Sequence, residues 1–129
     1  MTTAGGVPDD EAIDAAFAVL LVALEIWNRD AVASAWKDLE SGLVAHMADE
    51  EQRLTPRIAA IQLREALAIL QEHRFLRGRL RELREATERG VARIEDVRSF
   101  RDELRAHARH EAQIVKALPE EVGPAGSGD

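Results

Sequence analysis

A ten-residue pattern, Leu-x-Ala-His-x-x-x-Glu-x-Gln, occurs twice in this chain, at residues 43–52 and again at residues 104–113. In both copies a histidine stands four positions before a glutamate, His46 before Glu50 and His107 before Glu111. Residues four apart in an α-helix lie one above the other on the same face. If both segments are helical, each copy directs an imidazole and a carboxylate toward one point.

Composition and apolar spacing favour helices throughout the chain. Ala, Leu, Arg and Glu dominate the sequence, and aromatic residues make up only 4% of it. Apolar residues at steps of three and four predict four helices, over residues 9–28, 31–54, 58–88 and 94–118. Short connections between such helices favour an all-α, up-down-up-down four-helix bundle. In that topology the second and fourth helices run parallel across a diagonal, which places the two His/Glu pairs at similar heights.

Length and composition limit the organisation and location of the protein. A chain of 129 residues is close to the usual size of one domain. We predict a flexible N-terminal tail over residues 1–8, the bundle over residues 9–119 and a disordered C-terminal tail over residues 120–129. The absence of cysteine fits the cytoplasm and excludes thiolate metal ligands.

Charge and hydropathy argue against two classes of partner. With 24 acidic and 17 basic residues the formal net charge is −7, which argues against nucleic-acid binding. The uncharged run at residues 15–24 is about half the roughly 20 residues that a membrane-spanning helix needs. The N-terminus also lacks the basic region of a secretory signal. We therefore expect neither a nucleic acid nor a membrane as partner.

A third histidine, His73, lies near the middle of the third predicted helix and can reach the layer of the two pairs. Buried imidazoles and carboxylates are costly unless they are paired or bound to a cation. Nitrogen and oxygen ligands without sulfur suit iron, manganese or zinc. The sequence thus predicts a metal site, with a metal-free polar layer or a plain interaction bundle as the alternatives. Its five predicted ligands are His46, Glu50, His73, His107 and Glu111.

These motifs resemble those of the hemerythrin-like, or HHE cation-binding, domain family. The matching elements are His-x-x-x-Glu-Glu at residues 46–51, Glu72-His73, and His-x-x-x-Glu at residues 107–111. The resemblance covers about residues 9–119 and implies a non-haem di-iron centre. It implies that Glu50 and Glu111 bridge, that His46 binds one iron and that His73 and His107 bind the other. Members of the family carry dioxygen, sense oxygen or iron, or act on peroxide and nitric oxide.

The sequence departs from the family pattern at two positions. The family normally supplies a histidine from its first helix, but helix one has none, and Phe17 stands where it would be expected. Members that carry O2 use a further histidine where this chain has Arg77. Three outcomes stay open: a di-iron site with one exposed iron, an asymmetric site, or a single metal held mainly by His73, His107 and the glutamates.

Four residues near the predicted site have two interpretations each. Phe17 is a candidate wall of a substrate pocket, or leaves room where the histidine ligand would have been. Arg77 is a candidate catalytic clamp for an anion, or forms a salt bridge with a glutamate at the bundle edge. Glu51 is expected to face solvent or to support a ligand. His110, beside the ligand face, is expected to be structural, with a proton relay as its functional alternative.

Two functional hypotheses follow. The first is an oxidase- or oxygenase-type enzyme whose iron, mono- or dinuclear, has an open coordination position for O2, peroxide or a small substrate. The alternative is a non-catalytic module that binds, senses or stores O2, NO or iron. Surplus apolar residues on helix one, including Val19, Val22 and Ile26, also predict a homodimer through that helix.

Overall fold

The computed structural model describes residues 8–119, which form an all-α bundle of five helical segments. The helices are α1 (Asp10–Ile26), α2 (Arg29–Arg53), α3 (Thr55–Ile61), α4 (Leu63–Glu88) and α5 (Ile94–Ala117). This range contains no strand, so the all-α prediction is confirmed. None of these helices is both long enough and apolar enough to cross a bilayer. Residues 1–7 of the predicted N-terminal tail, and the whole predicted C-terminal tail, lie outside the described residues.

The helix boundaries follow local sequence signals. Asp9 caps α1 by accepting a hydrogen bond from the Ala12 amide, at 2.9 Å. Asn28 caps α2 in the same way, by accepting a hydrogen bond from the Ala31 amide, at 3.0 Å. Gly90, at φ 75°, ends the turn after α4, as a glycine in the left-handed region commonly does.

The third predicted helix is interrupted, in contrast to the expectation of one continuous helix. Pro56 lies in the first turn of the short α3, where a missing amide proton costs nothing. Gln62 then adopts an extended conformation, with φ −139° and ψ 90°, and separates α3 from α4. The sequence around Gln62 has no glycine or proline to signal this break.

Two apolar clusters fill the bundle, and the predicted site lies between them. The larger cluster draws on α1, α2, α4 and α5, and the smaller one joins α3 to α4 and α5. On α4, His73 falls between Ile69 of the smaller cluster and Leu76 of the larger one. On α5, His107 and Glu111 precede Ile114 of the smaller cluster. A polar layer is thus enclosed by apolar side chains on both sides.

Contacts between α2 and α4 fix their relative heights. Near the start of α2, the Trp36 indole Nε1 donates to Thr87 Oγ1 near the end of α4, at 3.0 Å. Near the end of α2, Glu51 contacts His73 in the first half of α4. These contacts therefore bring His73 on α4 beside the first His/Glu pair, at the end of α2.

Candidate metal centre

Four side chains from three helices converge in the polar layer: Glu50 from α2, His73 from α4, and His107 and Glu111 from α5. One donor atom from each lies within 4.8 Å of the other three. His73 Nε2 is 3.1 Å from Glu50 Oε1 and 3.1 Å from His107 Nε2. Two ligand atoms that each lie about 2.1 Å from one ion, with about 90° between their bonds to it, are about 3.0 Å apart. The two 3.1 Å separations at His73 Nε2 are therefore compatible with donors around one cation.

The two central histidines are held by carboxylates on their outer nitrogens. His73 Nδ1 donates to Glu51 Oε2 at 2.7 Å, and His107 Nδ1 donates to Glu72 Oε1 at 2.6 Å. Such a partner fixes the tautomer and orientation of a metal-binding imidazole. In neutral rings both Nε2 atoms are then acceptors, and they face each other across 3.1 Å. An added proton or a metal ion is needed between them.

Glu111 supplies the test of whether a metal ion fits this layer. Its Oε2 atom is buried and makes no hydrogen bond with any residue in 8–119, although it lies 3.1 Å from His107 Nε2. A buried carboxylate oxygen that accepts no hydrogen bond is costly. A cation bound by two imidazoles and two carboxylates would satisfy it. This donor set, which contains no sulfur, suits iron, manganese or zinc.

Burial and the carboxylates have opposite effects on the pKa values of this layer. Burial lowers the pKa of His73, but Glu111, Glu50 and Glu51 outweigh it and raise that pKa to about 9. The pKa of His107 is also raised: burial lowers it, but the neighbouring carboxylates, Glu111 above all, outweigh burial. Burial raises the pKa of Glu111, but the facing imidazoles of His107 and His73 bring it well below its usual range. The raised histidine pKa values thus favour protonated imidazoles, which balance the buried carboxylates.

His46, the fifth predicted ligand, lies beside the other four rather than among them. Its Nε2 atom is 3.0 Å from Glu50 Oε2, while Glu50 Oε1 faces His73. Its Nδ1 atom donates to the Pro8 carbonyl at 2.8 Å. Asp10 at 3.3 Å contributes most, ahead of Glu50, to raising the pKa of His46 to about 11. The structure thus brings four predicted ligands together and connects His46 to them through Glu50.

Sequence reasoning missed or underrated three carboxylates. Asp10 was not among the predicted site residues, and Glu51 was expected to face solvent or to support a ligand. Glu72 was noted only within the Glu72-His73 motif, yet it contacts His107 and also accepts from His110 Nδ1 at 2.8 Å. Its place directly before a candidate ligand was the signal available for Glu72.

The two candidate catalytic residues are both engaged in contacts. An Arg77 guanidinium nitrogen lies 2.9 Å from Glu51 Oε2, which matches the salt bridge expected as its alternative interpretation. Phe17 packs edge-on against Phe100 with ring centroids 5.7 Å apart. Phe17 also lines a cavity of about 250 Å³ together with His46 and His107. A cavity therefore adjoins the donor cluster on its α1 side.

A larger cavity, of about 440 Å³, lies elsewhere in the bundle. Trp27 and Trp36 line it, together with residues near the end of α4. None of the clustered histidines and glutamates borders it. Because the clustered donors carry the chemistry, size alone does not make this larger cavity the candidate site.

Comparison with known proteins gives one family match. The model of the family described as Hemerythrin HHE cation binding domain matches residues 9–118. No curated protein and no solved structure gave a match. The matched range includes every donor described above.

Proposed function

Because the chain belongs to the hemerythrin HHE cation-binding family, we propose that Glu50, His73, His107 and Glu111 hold a non-haem iron centre. Family membership and the His/Glu cluster both indicate metal binding, and iron is the metal that the family suggests. The observation that carries the site assignment is the pair of facing Nε2 atoms at 3.1 Å, each on a ring whose Nδ1 already donates to a carboxylate.

An up-down-up-down order of α1, α2, α4 and α5 is part of this proposal. Trp36 near the start of α2 contacts Thr87 near the end of α4, which supports antiparallel neighbours. Phe17 with Phe100, and Asp14 with Arg105 at 3.2 Å, support the same relation between α1 and α5. Antiparallel neighbours place the polar residues of α2, α4 and α5 in one layer.

We propose that the centre works as an oxidase- or oxygenase-type enzyme on O2, peroxide or a small substrate. Bound iron would supply Lewis acidity and electron transfer. The cavity of about 250 Å³ supports this function, because it gives a small molecule a place beside His46 and His107. Phe17, Leu43 and Met47 line that cavity and would limit the access of water. Glu51 and Glu72 would hold the two imidazoles in place.

The alternative is reversible binding, sensing or storage of O2, NO or iron without turnover. One observation favours it: Arg77, the candidate cationic clamp, is paired with Glu51. Under this alternative the cavity admits a diatomic ligand and no residue beyond the metal ligands needs to act on it.

Iron loading and O2 reactivity test the proposal. Iron(II) is added anaerobically to tag-free protein, excess metal is removed, and iron is measured before the reduced protein is mixed with O2 or peroxide. We expect bound iron and turnover beyond one equivalent, whereas a single reversible equivalent would favour the binding module. Less than about 0.2 iron per chain would contradict the metal site itself.

The His107→Ala variant should lose iron and melt at a lower temperature than the loaded wild type, since metal binding stabilises the folded state. The matched control is His110→Ala, because His110 contributes no atom to the donor cluster. That control should keep its iron. Equal iron content in the wild type and His107→Ala would contradict the ligand assignment.

Two further expectations from the sequence belong to the proposal. A homodimer through α1 is supported by the exposure of Val19, Val22 and Ile26, at 61%, 57% and 68%. We also propose a cytoplasmic location. The chain has no cysteine and so no disulfide, and disulfides are rare in cytosolic proteins.

A further inference from the structure

The cavity of about 440 Å³ lies toward the end of the bundle that is opposite to the polar layer. The end of α1, the first half of α2 and the last turns of α4 line it. Its volume falls within the roughly 300–1,000 Å³ that is typical of small-molecule sites. None of the four clustered metal donors borders this cavity. A ligand held here would occupy a site of its own, whether or not the metal centre is loaded.

Trp36 forms a fixed aromatic wall of this cavity. Its Nε1 donates to Thr87 Oγ1 at 3.0 Å, and that hydroxyl donates in turn to the Leu83 carbonyl at 2.8 Å. The indole has no other donor, so Trp36 offers only apolar ring surface to a ligand. Val32, which is buried like Trp36, also lines the cavity. The buried side of the cavity therefore suits an apolar or aromatic group.

Trp27, which also lines the cavity, has an unfavourable backbone conformation. It ends α1 at φ 49° and ψ 52°, in the left-handed region, and is the only residue other than glycine in 8–119 with a positive φ. Glycine is the usual residue at such a helix end, and a bulky side chain is strained there. The Trp27 side chain is also 47% exposed, so burial offsets little of the strain. Strain of this kind is typical of residues that contact a ligand.

The charged residues around this cavity are mainly basic, although the chain as a whole has a net charge of −7. Four basic and two acidic residues line it: Arg29, Lys37, Arg84, Arg89, Glu40 and Glu88. Both acids already face Arg84, which donates to the two Glu40 oxygens at 3.0 and 2.8 Å and lies 3.9 Å from Glu88. The other three basic side chains are exposed and form no ion pair within residues 8–119. The exposed side of the cavity therefore attracts an anion.

We propose that this cavity binds a small aromatic carboxylate. The ring of the ligand packs against Trp27 and Trp36, and its carboxylate lies near the exposed cations, Lys37 among them. Aromatic rings gain more from contact with each other than the buried area alone provides. A neutral aromatic molecule would leave the basic side chains without a partner, and a simple inorganic anion would leave the indoles uncovered. Only a ligand with both groups uses both sides of the cavity.

Nuclear magnetic resonance tests this proposal directly, because both tryptophans of the chain line the cavity. Their two indole N–H signals are followed while the protein is titrated with naphthoate, and separately with the uncharged naphthalenemethanol. We expect naphthoate to shift both signals saturably, with a dissociation constant of about 1 mM or below. Naphthalenemethanol should bind about 2- to 5-fold more weakly, because it forms no ion pair. No saturable shift up to about 10 mM naphthoate would overturn the site, and equal affinity for the two probes would overturn the choice of a carboxylate.

Two variants and a control separate the aromatic from the charged contact. Trp27→Gly should weaken naphthoate binding roughly tenfold, because it removes one ring contact; the Trp36 signal still reports binding, and glycine suits the left-handed conformation, so the fold should be kept. Lys37→Gln should weaken naphthoate binding about 2- to 5-fold and leave naphthalenemethanol binding unchanged. Lys116→Gln is the matched control, because Lys116, the other lysine of the chain, does not line the cavity, and its affinities should equal those of the wild type. Unchanged naphthoate affinity in Trp27→Gly, with circular dichroism showing a folded protein, would overturn the proposed ring contact.

Discussion

Metal binding at neutral pH should release protons, because without metal the raised pKa values of His73 and His46 keep these two imidazoles charged. The pKa of His73 is raised to about 9 and that of His46 to about 11. A group with a pKa near 9 is roughly 99% protonated at pH 7. The Nδ1 proton of His73 stays on its contact with Glu51, so the proton that a metal displaces is the one on Nε2. We expect about one proton released for each histidine that becomes a ligand.

The size of this effect follows from the pKa of His73. Deprotonating a group two pH units below its pKa costs about 2.7 kcal/mol, which opposes metal binding at pH 7. Raising the pH from 7 to 8 should therefore strengthen metal binding about tenfold for each proton displaced. In the protein without metal, the raised pKa of His73 makes the folded state less stable as the pH rises. Its stabilising contribution is complete below the unfolded value of 6.5 and is lost as the pH rises through about 9.

Calorimetry measures the proton count directly. Zn(II) is titrated into the protein at pH 7 in buffers of different ionisation enthalpy, and the dependence of the measured heat on that enthalpy gives the protons released. His73→Ala should release about one proton fewer than the wild type, whereas His110→Ala should match it. A wild-type value near zero would refute the claim that the facing imidazoles are the metal ligands.

Three further predictions concern the supporting carboxylate, the glycines and the α1 surface. Glu72→Gln should weaken metal binding about 10- to 100-fold, because it loosens the contact that orients His107; competition with a chelator measures this, and unchanged affinity would contradict it. Gly78→Ala should raise the free energy of unfolding by about 1 kcal/mol, because Gly78 is helical and an added Cβ meets nothing within 4 Å. Gly90→Ala should lower the free energy of unfolding by about 1 kcal/mol, because Gly90 has φ +75°. Denaturant unfolding measures both glycine variants, and the two changes in free energy should have opposite signs. Changes of the same sign would contradict the backbone explanation. Val22→Glu should convert a dimer to a monomer in sedimentation experiments, and a wild-type mass that stays monomeric at all concentrations would remove the α1 interface.

The parts of the site that the sequence predicted all depend on spacing within one helix. The four-residue step from His107 to Glu111 places both on one face, and the structure has both in the polar layer. Apolar spacing on either side of His73 likewise predicted that this residue faces the core, where its side chain has no exposed surface. Periodicity within a helix is therefore enough to find the inward-facing polar residues.

The missed contacts depend on how one helix is placed against another. Asp10 reaches His46 only because the start of α1 packs beside the second half of α2, and no spacing within α1 fixes that height. Glu51 lies on a different side of α2 from Glu50, yet His73 on α4 extends its Nδ1 toward it. The break at Gln62 was missed for another reason, since an extended glutamine has no signature in the sequence comparable to glycine or proline.

The most direct measurement of the central claim is the position of the metal. Crystals of the protein loaded anaerobically with Fe(II) would give an anomalous scattering map at the iron absorption edge. We predict a peak about 2.1 Å from both His73 Nε2 and His107 Nε2, within reach of Glu50 and Glu111. An iron-loaded crystal with no peak in this layer, or with its peak elsewhere in the bundle, would contradict the account.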